Sequence, residues 1–372
     1  MKILLIRLRM IGDVVFTTPI PRALKRAFPD AHVTYLVESE AAPVITGNPH
    51  VDELVVIPRS RGLARLRADV ALARRLRAAR FDLVVDLHGG PRSSWLTWAT
   101  GAPQRIGYDI QGRSWQYTRT VYRARELAPR HSVVNQWDLL GAIDGWPAGP
   151  PDPARDAVEM ALDAAADRRI DDRLRVFQVD AQHPVIVIHV SAGNPFRRWP
   201  EASFVRLVSA LAAADSRRRI VLSSGPSDHL AADRIAAAAR AELGPGAADR
   251  VLEFGEISLV ELRALIARSA LFIGGDTGPL HIAATTATPV VGIYGPTLAA
   301  RSAPWRDPQA VTESVEREGL ECRPCDQRVC APGDFRCLTG IGPETMIAAA
   351  ERALTAGAAR AHRAGPTRAY AS

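Results

Sequence analysis

The sequence predicts an α/β protein made of two Rossmann-like domains that face each other across a cleft. Short runs of β-branched residues alternate with longer helical segments, which is typical of a doubly wound parallel sheet. The alternation stops at the turn-rich stretch "GWPAGPPDP" (145–153) and restarts at residue 183. The chain has 372 residues, which is enough for two domains of ordinary size.

The first half shows a regular β-α-β pattern. An arginine-rich helix is predicted over residues 62–80, and another helix over 17–29 ends at a proline. The predicted buried face of the longer helix repeats at helical spacing and consists of Leu63, Leu66, Val70, Ala73 and Leu76. The predicted strands cover residues 2–9, 32–38, 53–58 and 81–89.

The second half repeats the architecture without repeating the sequence. A strand begins in "HPVIVIHVSAG" (183–193), and 219–228 predicts a strand and its loop. Helices are predicted over 201–215 and 230–243, and residues 259–297 predict two further helix–strand pairs. The expected division is a first domain over 1–175, a second over 176–345, and a C-terminal helix and tail over 346–372.

Composition and charge disfavour a membrane, secreted or nucleic-acid-binding protein and favour an anionic partner. No apolar run reaches the ~18 residues of a membrane helix, and the N-terminus is charged too early for a signal peptide, so a cytoplasmic protein is expected. Residues 1–130 hold 21 Lys and Arg against 11 Asp and Glu, which favours an anionic partner. The chain contains only two lysines, so a general preference for arginine is the alternative explanation. With 6% aromatic residues and no interleaved aromatic motif, no nucleic-acid partner is expected.

The first strand-to-helix turn reads "MIGD" (10–13). Dinucleotide-binding proteins place G-x-G-x-x-G at this turn, so its absence disfavours a hydride-transfer enzyme. Asp13 instead falls at the predicted start of a helix, where the helix dipole favours a carboxylate. Two interpretations stay open, a helix cap and a general base at the mouth of a cleft.

The most specific stretch is "GGDTGPLHIAA" (274–284), directly after a predicted strand. Thr277 and Gly278 lead into a helix N-terminus, which favours anions. Asp276 can accept hydrogen bonds from sugar hydroxyls, and His281 lies one turn further and points back to the same end. The alternative is an ordinary capped helix with a core histidine.

Two other loops follow strands of the same half. In "SAGNPFRRWP" (191–200), small residues from Ser191 to Gly193 and the guanidinium of Arg197 can hold a pyrophosphate. In "SSGPSD" (223–228), Asp228 can bind ribose hydroxyls. A surface loop with incidental arginines is the alternative for the first of them. Three such loops at one sheet edge predict a single nucleotide-diphosphate site.

All four cysteines form one short C-x2-C-x4-C-x6-C cluster. Four thiolates this close can hold zinc or iron in a structural site, although the spacing lacks the usual two-pair arrangement. Reduced thiols and a disulfide formed on isolation are the alternatives. The cluster consists of Cys322, Cys325, Cys330 and Cys337.

Three stretches together, "IRLRMIGDVVFTTP", "RRWP" and "GDTGPLHIAA…PVVGIYGPT", resemble the ADP-heptose:lipopolysaccharide heptosyltransferases, glycosyltransferase family 9. The resemblance covers nearly the whole chain and implies a GT-B fold. It implies an inverting, metal-independent transfer of heptose from ADP-heptose to a lipopolysaccharide inner-core acceptor, with no cofactor for catalysis. The alternatives are a protein, secondary metabolite or other glycan as acceptor, another nucleotide-sugar as donor, and a non-catalytic metal-stapled scaffold.

The resemblance also implies roles for individual residues. Asp13 becomes the general base on the acceptor side, and Arg197 replaces the usual family lysine at the donor phosphate, which keeps the charge and changes the reach. Asp228 matches a family glutamate near the ribose, and Asp276 contacts the transferred sugar. The resemblance implies that the diphosphate is bound by the Ser191–Gly193 loop and by Thr277, Gly278 and His281.

The acceptor is expected against the first domain. The loop "DLHGGPRSSW" (86–95) offers His88 and Arg92, and the arginine-rich helix adds positive charge. An anionic lipopolysaccharide core or a peripheral contact with the inner membrane suits these groups, whereas a solvated polar helix face is the alternative. Cysteine clusters similar to the one at 322–337 occur in some family members, including iron-binding ones.

Overall fold

The computed structural model describes residues 1–58, 62–123, 129–147, 149–190 and 192–364. The chain divides into two compact units. The first comprises Met1–Ala161 with Trp305–Asp307, and the second begins at Leu162 and contains the rest of the chain. Each unit contains one six-stranded sheet. The predicted α/β class with two Rossmann-like domains is therefore confirmed, while the predicted boundaries at residues 175 and 345 stay predictions.

The sheet of the first unit is parallel throughout and has the order β3-β2-β1-β4-β5-β6. Its central strand β1 is buried on both faces, as its run of Ile and Leu predicts. The strands are β1 (Lys2–Ile6), β2 (His32–Glu38), β3 (Glu53–Ile57), β4 (Leu83–Asp86), β5 (Gln104–Tyr108) and β6 (Arg119–Val121).

Helices connect these strands. They are α1 (Ile11–Val15), α2 (Pro19–Ala27), α3 (Ala42–Ile45), α4 (Gly62–Ala78), α5 (Pro91–Ala99) and α6 (Ser132–Trp137). The predicted buried face of α4 is wrong at Leu63 and Leu66, which are 74% and 60% exposed. Every buried residue of α4 lies between Asp69 and Leu76, so only its second half packs on the unit. Helical spacing identifies a face, but it does not show where along the helix packing begins.

The second unit contains a parallel sheet with the order β12-β11-β10-β7-β8-β9. Counted from its own first strand, this is the same winding order as in the first unit. The strands are β7 (Val185–His189), β8 (Arg219–Ser223), β9 (Val251–Leu252), β10 (Leu271–Gly275), β11 (Val290–Tyr294) and β12 (Thr312–Glu316).

Helices cover this sheet as well. They are α7 (Ala164–Val176), α8 (Glu201–Ala214), α9 (His229–Leu243), α10 (Leu259–Ala267), α11 (Gly278–Ala283), α12 (Ala299–Ser302), α13 (Arg336–Thr339) and α14 (Pro343–Ala364). The long helix α14 packs on α8 and on the sheet. It does so through Met346, Ala349, Ala350 and Ala353, whose helical spacing and small size allow a close approach. None of the described helices is long and apolar enough to cross a membrane.

Each sheet reverses its winding direction at its centre. This switch point lies between β1 and β4 in the first unit and between β7 and β10 in the second. Ligands of doubly wound sheets bind beyond the carboxyl ends of the strands at such a point. The segments that directly follow these four strands carry most of the residues singled out from the sequence, including Asp13, His88, Arg197 and Asp276.

Candidate active site

Asp276 is the central charged group at the switch point of the second unit. It follows β10 and is 4% exposed. Thr297 donates its hydroxyl proton to Asp276 Oδ2 over 2.5 Å. His281 Nε2 lies 3.4 Å from Oδ1, and Arg197 Nη1 lies 3.4 Å from Oδ2. The buried carboxylate therefore has three polar or cationic side chains around it.

The pKa of the Asp276 carboxyl reflects these neighbours. Burial by itself raises this pKa, because a charged form loses water. The hydrogen bond and charge of His281, together with the charge of Arg197 and the hydrogen bond from the Thr297 hydroxyl, lower this pKa and outweigh the effect of burial. The resulting pKa is well below the usual range, so the group is a carboxylate at neutral pH.

Arg197 reaches this site from the loop after β7. It lies at the end of a 3-10 turn, Pro195–Arg197, and donates from Nη1 to the Asp276 carbonyl over 2.7 Å. Its Nε donates to Gln327 Oε1 over 2.7 Å. Within the described part of the chain, Nη2 makes no hydrogen bond. The guanidinium is thus anchored on two sides and keeps a free edge, which suits an anionic ligand.

Asp228 is held in a separate ion pair. Arg198 Nη2 lies 2.9 Å from Asp228 Oδ1, and Arg198 Nε donates to the Ala192 carbonyl over 3.0 Å. Ser227 donates to Asp228 Oδ2 over 2.8 Å. The structure therefore joins the loops after β7 and β8 through Arg198. The ribose role expected for Asp228 stays a prediction.

The predicted glycine, serine and threonine contacts of this site lie in two loops. A side chain at Gly193 would meet open space, so packing does not require a glycine there, and its expected contact with a phosphate stays a prediction. Thr277 precedes α11 in an extended conformation, with its hydroxyl directed to the Gly275 carbonyl at 3.3 Å. Gly278 is the first residue of α11. Ser191 lies outside the described residues.

His189 is a buried residue of this region that sequence reasoning did not select. It is the last residue of β7, and its Nδ1 lies 3.0 Å from Ser223 Oγ at the end of β8. Burial lowers the pKa of His189 to about 4, so the ring is neutral at pH 7. A histidine inside an apolar strand gives little sequence signal, because the same pattern occurs in ordinary cores.

Asp13 lies at the switch point of the first unit, inside the short helix α1. Its carboxylate pairs with the guanidinium of Arg7, and its side chain is 37% exposed. Arg7 is buried and also donates from Nη1 to the Leu87 carbonyl after β4 over 2.6 Å. Met10 is the N-cap residue of α1, and Asp13 lies in the first turn, so Asp13 is not the N-cap itself. Arg7, which the sequence placed inside a strand, is the residue that orients Asp13.

His88 and Arg92 occupy different environments after β4. Burial, followed by the charges of Arg7 and Arg9, lowers the pKa of His88 to about 4. The ring is therefore neutral at pH 7, and its buried Nδ1 has no hydrogen-bond partner among the described residues.

Arg92 is engaged inside the first unit. Its Nη1 donates to Glu38 over 2.7 Å, and its Nη2 donates to Asp69 over 2.5 Å. Its side chain is 12% exposed. An acceptor would compete with two carboxylates for this guanidinium, so the acceptor role of Arg92 stays a prediction that the structure does not favour.

The sequence was also compared with known proteins. A family model described as glycosyltransferase family 9 (heptosyltransferase) matches residues 70–333. The chain belongs to glycosyltransferase family 9. It is 28% identical over 292 residues to an Escherichia coli protein named lipopolysaccharide heptosyltransferase 3, covering 78% of this chain and 82% of that protein. The predicted family and the prediction of a glycosyltransferase are confirmed.

Solved structures share the fold of this family 9 glycosyltransferase. A family 9 glycosyl transferase from Veillonella parvula superposes with a TM-score of 0.78 at 24% identity, over 95% of this chain and 97% of that chain. The Escherichia coli ADP-heptose lps heptosyltransferase II superposes with a TM-score of 0.74 at 21% identity, over 95% and 99%. The predicted GT-B fold is confirmed.

The four cysteines of this glycosyltransferase are free thiols, and all are half-buried. Cys322, Cys325, Cys330 and Cys337 line one cavity of about 220 Å³. Burial raises the pKa of the Cys337 thiol. No group of three or more cysteine, histidine or acidic side chains in the described residues is arranged to hold a metal ion. In this arrangement the four sulfurs are not grouped as metal ligands, and the structural metal expected at the cluster stays a prediction.

Proposed function

We propose that this glycosyltransferase transfers heptose from ADP-heptose to a lipopolysaccharide inner-core acceptor with inversion at the anomeric carbon. The observation that carries the proposal is the arrangement of Arg197 and Asp276 at the switch point of the second unit. A partly exposed guanidinium, anchored by a buried carboxylate and its main chain, suits the diphosphate of a nucleotide-sugar.

The donor side of the reaction needs stabilisation of a leaving diphosphate. As the bond between the anomeric carbon and the phosphate oxygen breaks, negative charge develops on that oxygen. Arg197 stabilises this charge with donors that Asp276 has already oriented, so little reorganisation is needed during the reaction. This role requires no catalytic metal.

The acceptor side needs a base. The acceptor hydroxyl oxygen attacks the anomeric carbon, and its proton passes to the carboxylate of Asp13. Arg7 keeps that carboxylate in one orientation from its buried position after β1. The neutral ring of His88 offers a further hydrogen bond to an acceptor hydroxyl.

The identity of the donor and of the acceptor is a separate part of the proposal. It rests on the named heptosyltransferases to which the chain is similar. The basic first part of the chain, with 21 Lys and Arg against 11 Asp and Glu in residues 1–130, is compatible with an anionic acceptor.

The test measures binding and turnover of ADP-heptose beside a panel of other nucleotide-sugars, with heptose-deficient lipopolysaccharide as acceptor. Asp13→Asn should bind ADP-heptose as the wild type does, while its kcat falls by roughly 10²–10⁴-fold because the base is lost. Asp30→Asn, at an exposed aspartate of the same unit, is the matched control and should leave turnover unchanged.

The outcomes separate the parts of the proposal. Selective binding of a different nucleotide-sugar would refute the donor. Transfer that survives in Asp13→Asn would refute the base. Binding of ADP-heptose without transfer to lipopolysaccharide, but with transfer to a protein or another glycan, would refute the acceptor.

Peripheral contact with the inner membrane is part of the proposal and is supported by the first half of α4. Leu63 and Leu66 are exposed there beside the arginines Arg65 and Arg67. Exposed leucines between arginines suit the interface of an anionic bilayer.

The membrane contact can be tested by flotation with phosphatidylglycerol vesicles. The double variant Leu63→Ser, Leu66→Ser should lose binding, whereas Leu230→Ser, at an exposed leucine of α9, should keep it. Equal flotation of all three proteins, or no flotation of the wild type, would refute this contact.

A structural zinc or iron at the cysteine cluster is likewise a proposal, supported only by four thiols on one cavity. Binding would require the sulfurs to converge from its walls. Metal analysis of protein purified under reducing conditions tests this. About one equivalent per chain, lost in Cys325→Ser, would support the site. Four titratable thiols with no bound metal would refute it.

A further inference from the structure

The cysteine segment, residues 322–337, contacts the candidate donor site through Gln327. Gln327 Oε1 accepts a hydrogen bond from Arg197 Nε over 2.7 Å and another from Asn194 Nδ2 over 2.9 Å. The two partners are separated from Gln327 by 130 and 133 residues in the sequence. A single amide oxygen thus fixes both the beginning and the end of the turn that carries the guanidinium.

Gln327 is itself held in an unusual backbone conformation. Its φ is 60°, in the left-handed region that residues other than glycine rarely adopt. Its backbone N–H donates to Cys325 Sγ over 3.3 Å. A non-glycine residue persists in this region only where its surroundings hold it there, and such positions concentrate at functional sites.

The same segment also contacts the loop that follows β11. The Cys325 N–H donates to the Pro296 carbonyl over 3.0 Å. Arg323, whose side chain is 5% exposed, donates from Nη2 to the Thr297 carbonyl over 2.6 Å. Thr297 is the residue whose hydroxyl binds Asp276.

An aromatic contact completes the attachment. Phe335 packs edge-to-face on Phe196, with ring centroids 5.3 Å apart, and Phe196 immediately precedes Arg197. The segment therefore contacts the loop that carries Arg197 by polar and ring contacts, and it contacts the loop after β11, whose Thr297 binds Asp276, by polar contacts.

We infer that Gln327 is a positioning residue for Arg197, and that the cysteine segment is thereby part of the donor-binding site. This inference rests on the proposed function. The neutral amide accepts from Arg197 without cancelling its charge, so the guanidinium keeps its full attraction for a diphosphate while losing rotational freedom. A carboxylate at the same place would compete with the ligand.

The test is a double-mutant cycle on nucleotide binding, measured by calorimetry with ADP and with AMP. Gln327→Leu removes the acceptor at similar size and should weaken ADP binding about tenfold, because a hydrogen bond to a charged group is lost. The affinity for AMP should change by less than about twofold, because AMP lacks the second phosphate of ADP. In a protein that already carries Arg197→Ala, Gln327→Leu should cause almost no further loss of ADP affinity.

Two further variants guard the interpretation. Gln327→Asn shortens the side chain by one methylene and so moves the acceptor away from Arg197. This variant replaces Gln327→Leu in the test if the leucine variant does not fold, and it should also weaken ADP binding. Arg328→Ala is the matched control, because Arg328 is the exposed neighbour in the same segment, and it should bind ADP as the wild type does.

The results that overturn the inference are distinct from those that overturn the proposed function. Unchanged ADP affinity in folded Gln327→Leu, equal weakening of ADP and AMP, or an effect that persists without Arg197 would overturn the positioning role alone. Absence of ADP binding to the wild type, or unchanged ADP binding in Arg197→Ala, would overturn the donor site and the inference with it.

Discussion

Replacing Asp276 by asparagine removes one buried negative charge and changes the side-chain volume very little. The amide oxygen can still accept a hydrogen bond from the Thr297 hydroxyl. The interactions that weaken are those with His281 and Arg197, each of which lies 3.4 Å from a carboxylate oxygen. The side chain of Arg197 is 29% exposed, which moderates the loss. A hydrogen-bonded charged partner contributes roughly 1.5–3 kcal/mol, so we expect the free energy of unfolding to fall by about 2 kcal/mol.

The pH dependence of this loss identifies its cause. The pKa of the Asp276 carboxyl is held well below its ordinary value of 3.8 in the folded protein. A carboxyl with a lowered folded-state pKa contributes stability above its unfolded-state pKa, and this contribution disappears as the pH falls through the lowered value. The difference between wild type and Asp276→Asn should therefore be full at pH 7 and shrink below about pH 4.

The assay is urea unfolding of the two proteins at a series of pH values, supported by calorimetric melting at pH 7. A loss of about 2 kcal/mol corresponds to roughly 4–8 °C for a domain of this size. Asp233→Asn, at an exposed carboxylate of α9, is the control and should show a change within about 0.5 kcal/mol. An equal difference between wild type and Asp276→Asn at pH 7 and pH 3, or no difference at pH 7, would refute the reasoning.

Three further predictions concern the first unit. Arg7→Met should lower kcat about tenfold or more without changing donor affinity, and should add little to Asp13→Asn, because both act on one carboxylate; fully additive losses would contradict this. The pKa of His88 is lowered to about 4 from 6.5, so its burial disfavours folding as the pH falls from 6.5 to 4. In urea unfolding, the free energy of unfolding of His88→Gln should rise relative to that of the wild type over this interval. A constant difference between the two proteins would contradict the effect of His88. Arg92→Met should reduce the free energy of unfolding by about 3 kcal/mol, since Glu38 is left without its cation; unchanged urea unfolding would show that the pair contributes little.

Several features of the site could be predicted from short stretches of sequence. Alternating strands and helices place Asp13 after β1 and Asp276 after β10, and parallel strands bring their carboxyl ends to one edge of a sheet. Each of these inferences depends on residues that are close in the chain. For the same reason the family could be named from three motifs.

Other features could not be predicted, because they depend on residues far apart in the chain. Nothing in "IRLR" shows that Arg7 leaves the strand to pair with Asp13 and the Leu87 carbonyl. Arg92 looked available to a ligand, yet it pairs with Glu38 and Asp69.

The sequence by itself determined the alternation of strands and helices in the two domains and which loops follow those strands, because hydrophobic periodicity and turn residues act locally. The order of the strands within each sheet came from the structure. Tertiary structure alone decided which charges are already paired and which keep a free edge. Arg197 illustrates this division: its loop was evident from the chain, but its anchors, Asp276 and Gln327, lie 79 and 130 residues away. A side-chain partner at such a distance depends on how whole elements pack, which no local pattern encodes.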